Sequence, residues 1–370
     1  GDGVIRTVDL FKGISGGATW IDRDRMPIPQ ADVQQRLFAR LVRQLVAQAK
    51  PLPQLWYFPG TAKTLIIPTG DAHANPTSYY QTQINSLAPY GKMTFYLSPA
   101  ADPQATNVAT WIAQGYDFSI HPYVNTSFTT GYGQALSWFQ SKYQSNPTRS
   151  VRNHQVVWSG WTDAATIASQ AGYALDANFY TWGTWLRKPD NTWAYGYVTG
   201  SGRPMKFISS QGAVIPYYQQ VTQLVDEYLF DVDGMQNLTS AQAIAISRQM
   251  IDASQAGDYA ALMTQFHVDY YNGGPQAWAE GTLAYAQSLG IPIWTADKWL
   301  NFTETRDNAS FNNVAWNSGA GQLSFTLSAG SSTPSLSFLL PTTANGASLS
   351  SVLVDGAPVS FANFAVSGRN

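Results

Sequence analysis

The sequence predicts an α/β protein, an irregular (β/α)7-type barrel with a small C-terminal antiparallel β domain. Between residues 63 and 296, short apolar runs alternate with helix-length segments about seven times, as parallel strands joined by helical crossovers do, and this many units suggests closure. After about residue 305 the composition shifts to Ser, Thr, Gly and Ala with period-two alternation, as in "QLSFTLSA" and "SVLVDGAPV", which reads as short antiparallel strands. At 370 residues the chain also has room for a barrel plus an appendage.

Residues 31–50 place Val33, Leu37, Leu41 and Leu45 on one stripe, with Phe38, Val42 and Val46 beside it, so a helix is expected there with Asp32 near its start. Strands are expected at 63–70, 92–98, 116–124, 152–158, 174–182, 261–268 and 291–296, and helices at 77–88, 103–114, 132–145, 162–171, 240–256 and 276–289. Residues 183–239 interrupt the alternation with Gly, Trp and Tyr and read as a hairpin-bearing insertion. The expected organisation is a helical or extended segment over 1–55, such as the end of an upstream domain, a barrel over 56–304, and a β-sandwich-like domain over 305–370.

With 21 basic against 23 acidic residues and no basic run interleaved with aromatics, the electrostatic footprint of a nucleic-acid binder is missing. The absence of cysteine excludes disulfides, thiolate metal sites and a cysteine nucleophile. No apolar run approaches the roughly 20 residues a membrane span needs. Only 12% of residues are charged while 14% are aromatic, a surface chemistry suited to neutral ligands and shared with secreted carbohydrate-active proteins, so a secreted or cell-surface location is expected.

The four histidines, His73, His121, His154 and His267, each fall at or just beyond the C-terminal half of a different expected strand. That rim is where β/α barrels gather their active-site residues. In "IIPTGDAHANP" the strand ends by delivering Asp71 and His73 with Ala72 between them. Asp71 could alternatively cap the helix near residue 77, and Arg152 could form an ordinary barrel ion pair.

In chain order these residues resemble the motifs of the polysaccharide deacetylase superfamily. Thr69, Gly70, Asp71, Ala72 and His73 stand where that family has Thr-Phe-Asp-Asp-Gly, and "GYDFSIHPYVN" matches its second motif from Gly115 to His121, with Asn125 in place of a second histidine. Arg152 matches the third motif, Asp176 and Trp182 loosely the fourth, and His267 with Asp269 the fifth, so the resemblance spans about residues 60–303. The best fit is a divergent branch with Gly-Asp-Asp-His in the first motif.

The resemblance implies a metal-dependent hydrolase that removes acetyl groups from a polysaccharide. Asp71 would be the general base, Arg152 the residue orienting it, and His267 the general acid. A divalent cation, zinc first and cobalt, nickel or manganese as alternatives, would be held by His121 with Asn125 and His154. Ala72 occupies a family ligand position, implying a chain impaired by an engineered or natural loss of that ligand. His73 and Asp269 would contact substrate, and Trp158, Trp161, Tyr180, Trp182 and Trp185 are split between core and sugar-stacking wall. Two other functions remain open: a carbohydrate-binding protein on a degenerate barrel, and a glycoside hydrolase using Asp71 with Asp269 or Asp176 at a separation of about 5 to 9.5 Å.

Overall fold

The computed structural model describes residues 22–47, 49–198, 200–230, 234–330 and 335–366. Two compact units emerge: the described part of Gly1–Pro29 with Thr64–Leu300, and Gln30–Lys63 with the described part of Asn301–Asn370. These limits differ from the expected divisions at 55/56 and 304/305, and residues 1–21 of the expected N-terminal segment lie outside the described residues.

In the smaller unit, helix α1 (Gln30–Ala47) forms as its periodicity predicts, but its apolar stripe faces outward, with Leu37 and Phe38 65% and 71% exposed. The strands of this unit form antiparallel pairs: Gln54–Leu55 with Phe338–Leu339, Ser310–Asn317 with Gln322–Ser328, Thr343–Ala344 with Ala347–Ser348, and Val352–Val354 with Ala357–Val359. These are two-stranded sheets, and a sandwich of two larger sheets is not formed among the described residues.

The larger unit is a nearly closed parallel barrel. Its strands are β1 (Leu65–Ala72), β2 (Thr94–Leu97), β3 (Asp117–Ile120), β4 (Ser150–Val151), β5 (Leu175–Tyr180), β6 (Val214–Val225) and β7 (Ala261–Gln265), in the spatial order β3-β2-β1-β7-β6-β5-β4. Every neighbouring pair is parallel. Between β3 and β4 single bonds replace a ladder, with Thr148 donating to the Phe118 carbonyl at 2.9 Å and the Ser119 hydroxyl to that of Ser150.

Helices α2 (Thr77–Leu87), α3 (Ala105–Ala113), α4 (Phe128–Tyr143), α5 (Asp163–Gln170), α6 (Ser240–Ala253) and α7 (Gly273–Ser288) follow the expected pattern, and α8 (Ala296–Asn308) closes it. Local chemistry sets two of the starts: Ser127 accepts from the Thr130 amide, and Thr239 with Gln242 forms a capping box. The apolar outer face of the strands is covered by rings such as Tyr80, Phe95, Trp111 and Phe118, with Trp111 stacked on Phe118 at 5.9 Å. Gly70 permits the close approach of β1 to the residues after β7, because a Cβ there would lie 2.3 Å from the Phe266 carbonyl oxygen.

The parallel barrel has seven strands as expected, but not the same seven, and an eighth strand, Met205–Ile208, pairs antiparallel with β6 as the hairpin expected within residues 183–239. Residues 291–296 make only an isolated bridge, Ile293 to Ile66, and the sixth strand, β6, lies inside the expected insertion. Its twelve residues, "VIPYYQQVTQLV", mix buried glutamines with aliphatics, because several of its side chains point into a polar barrel interior. The expected strand at 152–158 is also revised: β4 stops at Val151, and a turn of 3-10 helix, His154–Val156, follows.

Candidate active site

The sequence-predicted residues Asp71, His73, His121, Arg152, His154 and His267 all lie at or beyond the C-terminal ends of barrel strands. Period-two alternation at the end of β1 sends Asp71 and His73 to one side and Ala72 to the other, where its methyl group is fully buried in the apolar core. Asp71 does not cap α2, whose N-cap position is Pro76.

Arg152 is completely buried and spans the barrel interior. Its Nη1 donates to Asp71 Oδ1 at 3.1 Å, to Thr69 Oγ1 at 3.0 Å and to Gln265 Oε1, its Nη2 to Thr222 Oγ1 at 2.9 Å, and its Nε to the Ala177 carbonyl at 3.0 Å. Thr69 and Gln265 face each other in register on β1 and β7, so the sheet itself builds this cradle. Burial would raise the Asp71 carboxyl, but His121, Arg152, His267 and the bond from Gln265 together hold it below the usual carboxylate range. At neutral pH the positive charges among these are those of Arg152 and His267, while His121 is neutral.

His267 is the other charged centre. Its Nδ1 lies 2.7 Å from Asp226 Oδ1 and its backbone amide donates to Asp226 Oδ2 at 2.6 Å, while Nε2 is 3.6 Å from Glu227 Oε1 and 3.9 Å from Asp71 Oδ2. Burial opposes the charge, yet Asp226, Glu227 and Asp71 overcome it and push the imidazole up to about 10, so the ring is cationic at neutral pH. The Gln265 amide nitrogen, 3.2 Å from Nε2, suits the ring once that nitrogen has given up its proton. Asp226 and Glu227 were not anticipated from the sequence. The available signal was "LVDEYLF", an acidic pair directly after an apolar run, and it was obscured by reading the region as an insertion.

His73, His121 and His154 form a trio whose ligand atoms all lie within 4.8 Å of one another, with ring centroids 5.3, 5.4 and 5.4 Å apart. Each member is prepared differently. His121 Nδ1 donates to the Arg152 carbonyl at 2.8 Å, which leaves Nε2 as the nitrogen with a lone pair, and burial lowers this ring to about 3 so that it is neutral. His73 Nδ1 bonds Asp269 Oδ2 at 3.0 Å, and Asn75 holds the other Asp269 oxygen at 3.2 Å. Burial lowers His73, but the bond to Asp269 outweighs it and makes the ring more basic than usual, whereas burial and then His73 lower His154.

Two nitrogens of this trio, His73 Nε2 and His154 Nδ1, are buried without a hydrogen-bond partner. Orphaned lone pairs converging with a neutral third imidazole fit a divalent cation, and the Asp269–His73 pair is the outer-shell arrangement that orients such a ligand. Asn125 is exposed and its amide donates to Gln155 Oε1 at 3.3 Å.

The aromatic candidates separate by burial. Trp158 and Tyr180 are buried, Trp158 against Phe179 and Phe207 and Tyr180 over the Arg152 guanidinium, and Trp185 is buried too. Trp182 is half-buried, while Trp161 is 83% exposed. Tyr123, not singled out in the sequence, is exposed and packs edge-on to His154 at 4.4 Å. Asp176 is fully buried in β5, where loss of solvation pushes its carboxyl up to about 7.

No protein-family model matches the chain, and no curated protein matches it. Among solved structures it is similar to a Mycobacterium smegmatis protein named provisionally as a polysaccharide deacetylase, with 12% identity, a TM-score of 0.54, and coverage of 70% of this chain and 96% of that one. It also matches a Streptococcus mutans CE4 esterase (12% identity, TM-score 0.40, 64% of this chain and 87% of that one) and a Bacillus subtilis peptidoglycan deacetylase (11%, TM-score 0.35, 66% and 93%). At 12% identity the Mycobacterium smegmatis match, with its TM-score of 0.54, establishes a likeness of fold.

Proposed function

We propose that the protein is a metal-dependent hydrolase that removes acetyl groups from a polysaccharide, with Asp71 as general base, His267 as general acid, and His73, His121 and His154 as metal ligands. The observation that carries this reading is the position of Asp71 Oδ2, 3.9 Å from the protonated nitrogen of His267 and 3.8 Å from Nδ1 of His121, the ring whose Nε2 keeps its lone pair in the imidazole trio. Base and acid therefore lie beside a ring of the trio.

A bound divalent cation would acidify a water and polarise the acyl oxygen. Three imidazoles favour zinc, with cobalt, nickel and manganese as alternatives. Arg152 keeps Asp71 ionised and fixes its Oδ1, so that Oδ2 is directed to take the proton of the attacking water. His267, kept cationic by Asp226 and Glu227, supplies the proton to the departing atom, and the Asp226 bond at Nδ1 fixes which nitrogen delivers it. Exposed Trp161 and Tyr123 offer apolar faces to pyranose rings, a role unsuited to buried Trp158 and Tyr180.

In this reading Ala72 is not a vacancy among the ligands. Its methyl belongs to the core, and His73, one residue on, supplies the donor, so the chain needs no restoration to act. Asp269 then orients His73 rather than contacting substrate. Asn125 takes no part in coordination.

Acetate release from acetylated chitin and xylan oligomers, measured beside metal content, tests the assignment. Chelation should abolish release and zinc should restore it, while Asp71→Asn should retain the metal and lose about three orders of magnitude in kcat. Metal-replete protein releasing no acetate from any acetylated glycan, or releasing it equally well after chelation, would overturn it.

A further inference from the structure

His154 reaches the imidazole trio by an unusual route. The two residues after it, Gln155 and Val156, have φ values of 58° and 48°. Consecutive left-handed residues without glycine, one of them β-branched, persist only where their surroundings over-determine them.

The fixing groups are buried side chains behind the turn. Asn153 is fully buried; its backbone N–H donates to Asn178 Oδ1 at 2.6 Å, its Oδ1 accepts from the Tyr132 hydroxyl at 2.9 Å, and its Nδ2 donates to the Val157 carbonyl at 2.9 Å. One asparagine thus clamps both ends of the turn. Asn178 must point its oxygen at Asn153, and its Nδ2 is taken up by Asp176 Oδ1, an oxygen that also accepts from the Tyr217 hydroxyl at 3.4 Å. Asp176 and Asn178 are two apart on β5, at the irregularity where its register with β6 shifts, and their side chains bond each other directly.

We propose that Asn178 and Asp176 are positioning residues that hold His154 in the imidazole trio through Asn153. The proposal rests on the reading of His154 as a metal ligand. Asp176, matched by sequence to a motif acid, then acts neither on substrate nor on the general acid. Its carboxylate fixes which way the Asn178 amide faces.

Cobalt titration of the metal-free protein, read by visible absorption, tests this beside hydrogen exchange of the same metal-free samples. Asn178→Ala should weaken cobalt binding about 10- to 100-fold and change its absorption bands. The amides of Val156 and Val157 should exchange at least about tenfold faster, while those of β1 and β7 stay at wild-type rates. Tyr132→Phe, nearly the same shape, should move both readouts the same way by a smaller factor. Wild-type cobalt affinity, absorption and exchange in both variants would overturn the proposal. Should the wild-type protein take up no cobalt, the ligand reading fails separately, and exchange alone decides: faster turn amides in Asn178→Ala support the clamp, and unchanged amides overturn it.

Discussion

The two sides of the site solve the same physical problem with opposite outcomes. Asp71 and His267 are both buried, and burial alone would neutralise each of them. On the Asp71 side a guanidinium held by five oxygens reverses this and keeps a carboxylate ionised. On the His267 side two adjacent carboxylates reverse it and keep an imidazole protonated. The comparison teaches that ionisation here is set by the sign of the nearest fixed charge, with burial amplifying whichever partner is present.

The harshest way to break the comparison is to remove the guanidinium. Arg152→Ala strands Asp71 and several barrel oxygens without a partner and should cost about 3–5 kcal/mol in denaturant unfolding, with activity lost. Ala72→Asp should be next, lowering stability by about 3 kcal/mol because it forces a carboxyl into the apolar face of β1. The same substitution distinguishes the two readings of Ala72, since a vacant ligand position predicts gain of metal affinity instead.

Asp226→Asn separates the His267 side from the Asp71 side. The imidazole should fall from about 10 by one to two units, on the order expected for loss of one close carboxylate, and the alkaline limb of the kcat/KM profile should move to lower pH with it. Stability should respond with opposite signs on the two sides. His267, raised in the folded state, contributes stability that is complete below its unfolded value near 6.5 and disappears as pH rises through about 10. Asp71, lowered in the folded state, contributes stability present above its unfolded value near 3.8 and lost as pH falls through the folded value. Unfolding measured across pH in the wild-type protein and in Asp226→Asn should show the variant flattening the alkaline decline and leaving the acid one intact.

The smallest expected effect is at the rim. Trp161→Ala should change stability by no more than about 0.5 kcal/mol, because the ring is exposed. If that ring supports a glycan chain, KM for an oligosaccharide should rise several-fold while turnover of a small acetate ester is unchanged.

Much of this arrangement was legible in the chain because strand ends and residue identity are local facts. Asp71, His121 and His267 follow apolar runs directly, and the periodicity places nearly every helix to within a few residues. The sixth strand was hidden because a strand facing a polar interior loses the alternation that marks a half-buried one, as Gln220, Thr222 and Gln223 show. Asp226 and Glu227 were hidden with it. Burial of Trp158 beside exposure of Trp161, three residues away, has no signature in composition at all.

The pairing of Asp71 with Arg152 was implied by the family resemblance; by itself, then, the sequence determined the barrel class and the rim where the chemistry gathers. Those follow from periods of 2 and 3.6 residues and from side-chain type. Only the tertiary structure decided which imidazoles meet, which carboxylates charge His267, and that Ala72 faces the core while His73 faces the site. These depend on contacts between residues 41 to 196 positions apart, fixed by strand order and by a left-handed turn at Gln155 and Val156 that no local propensity favours.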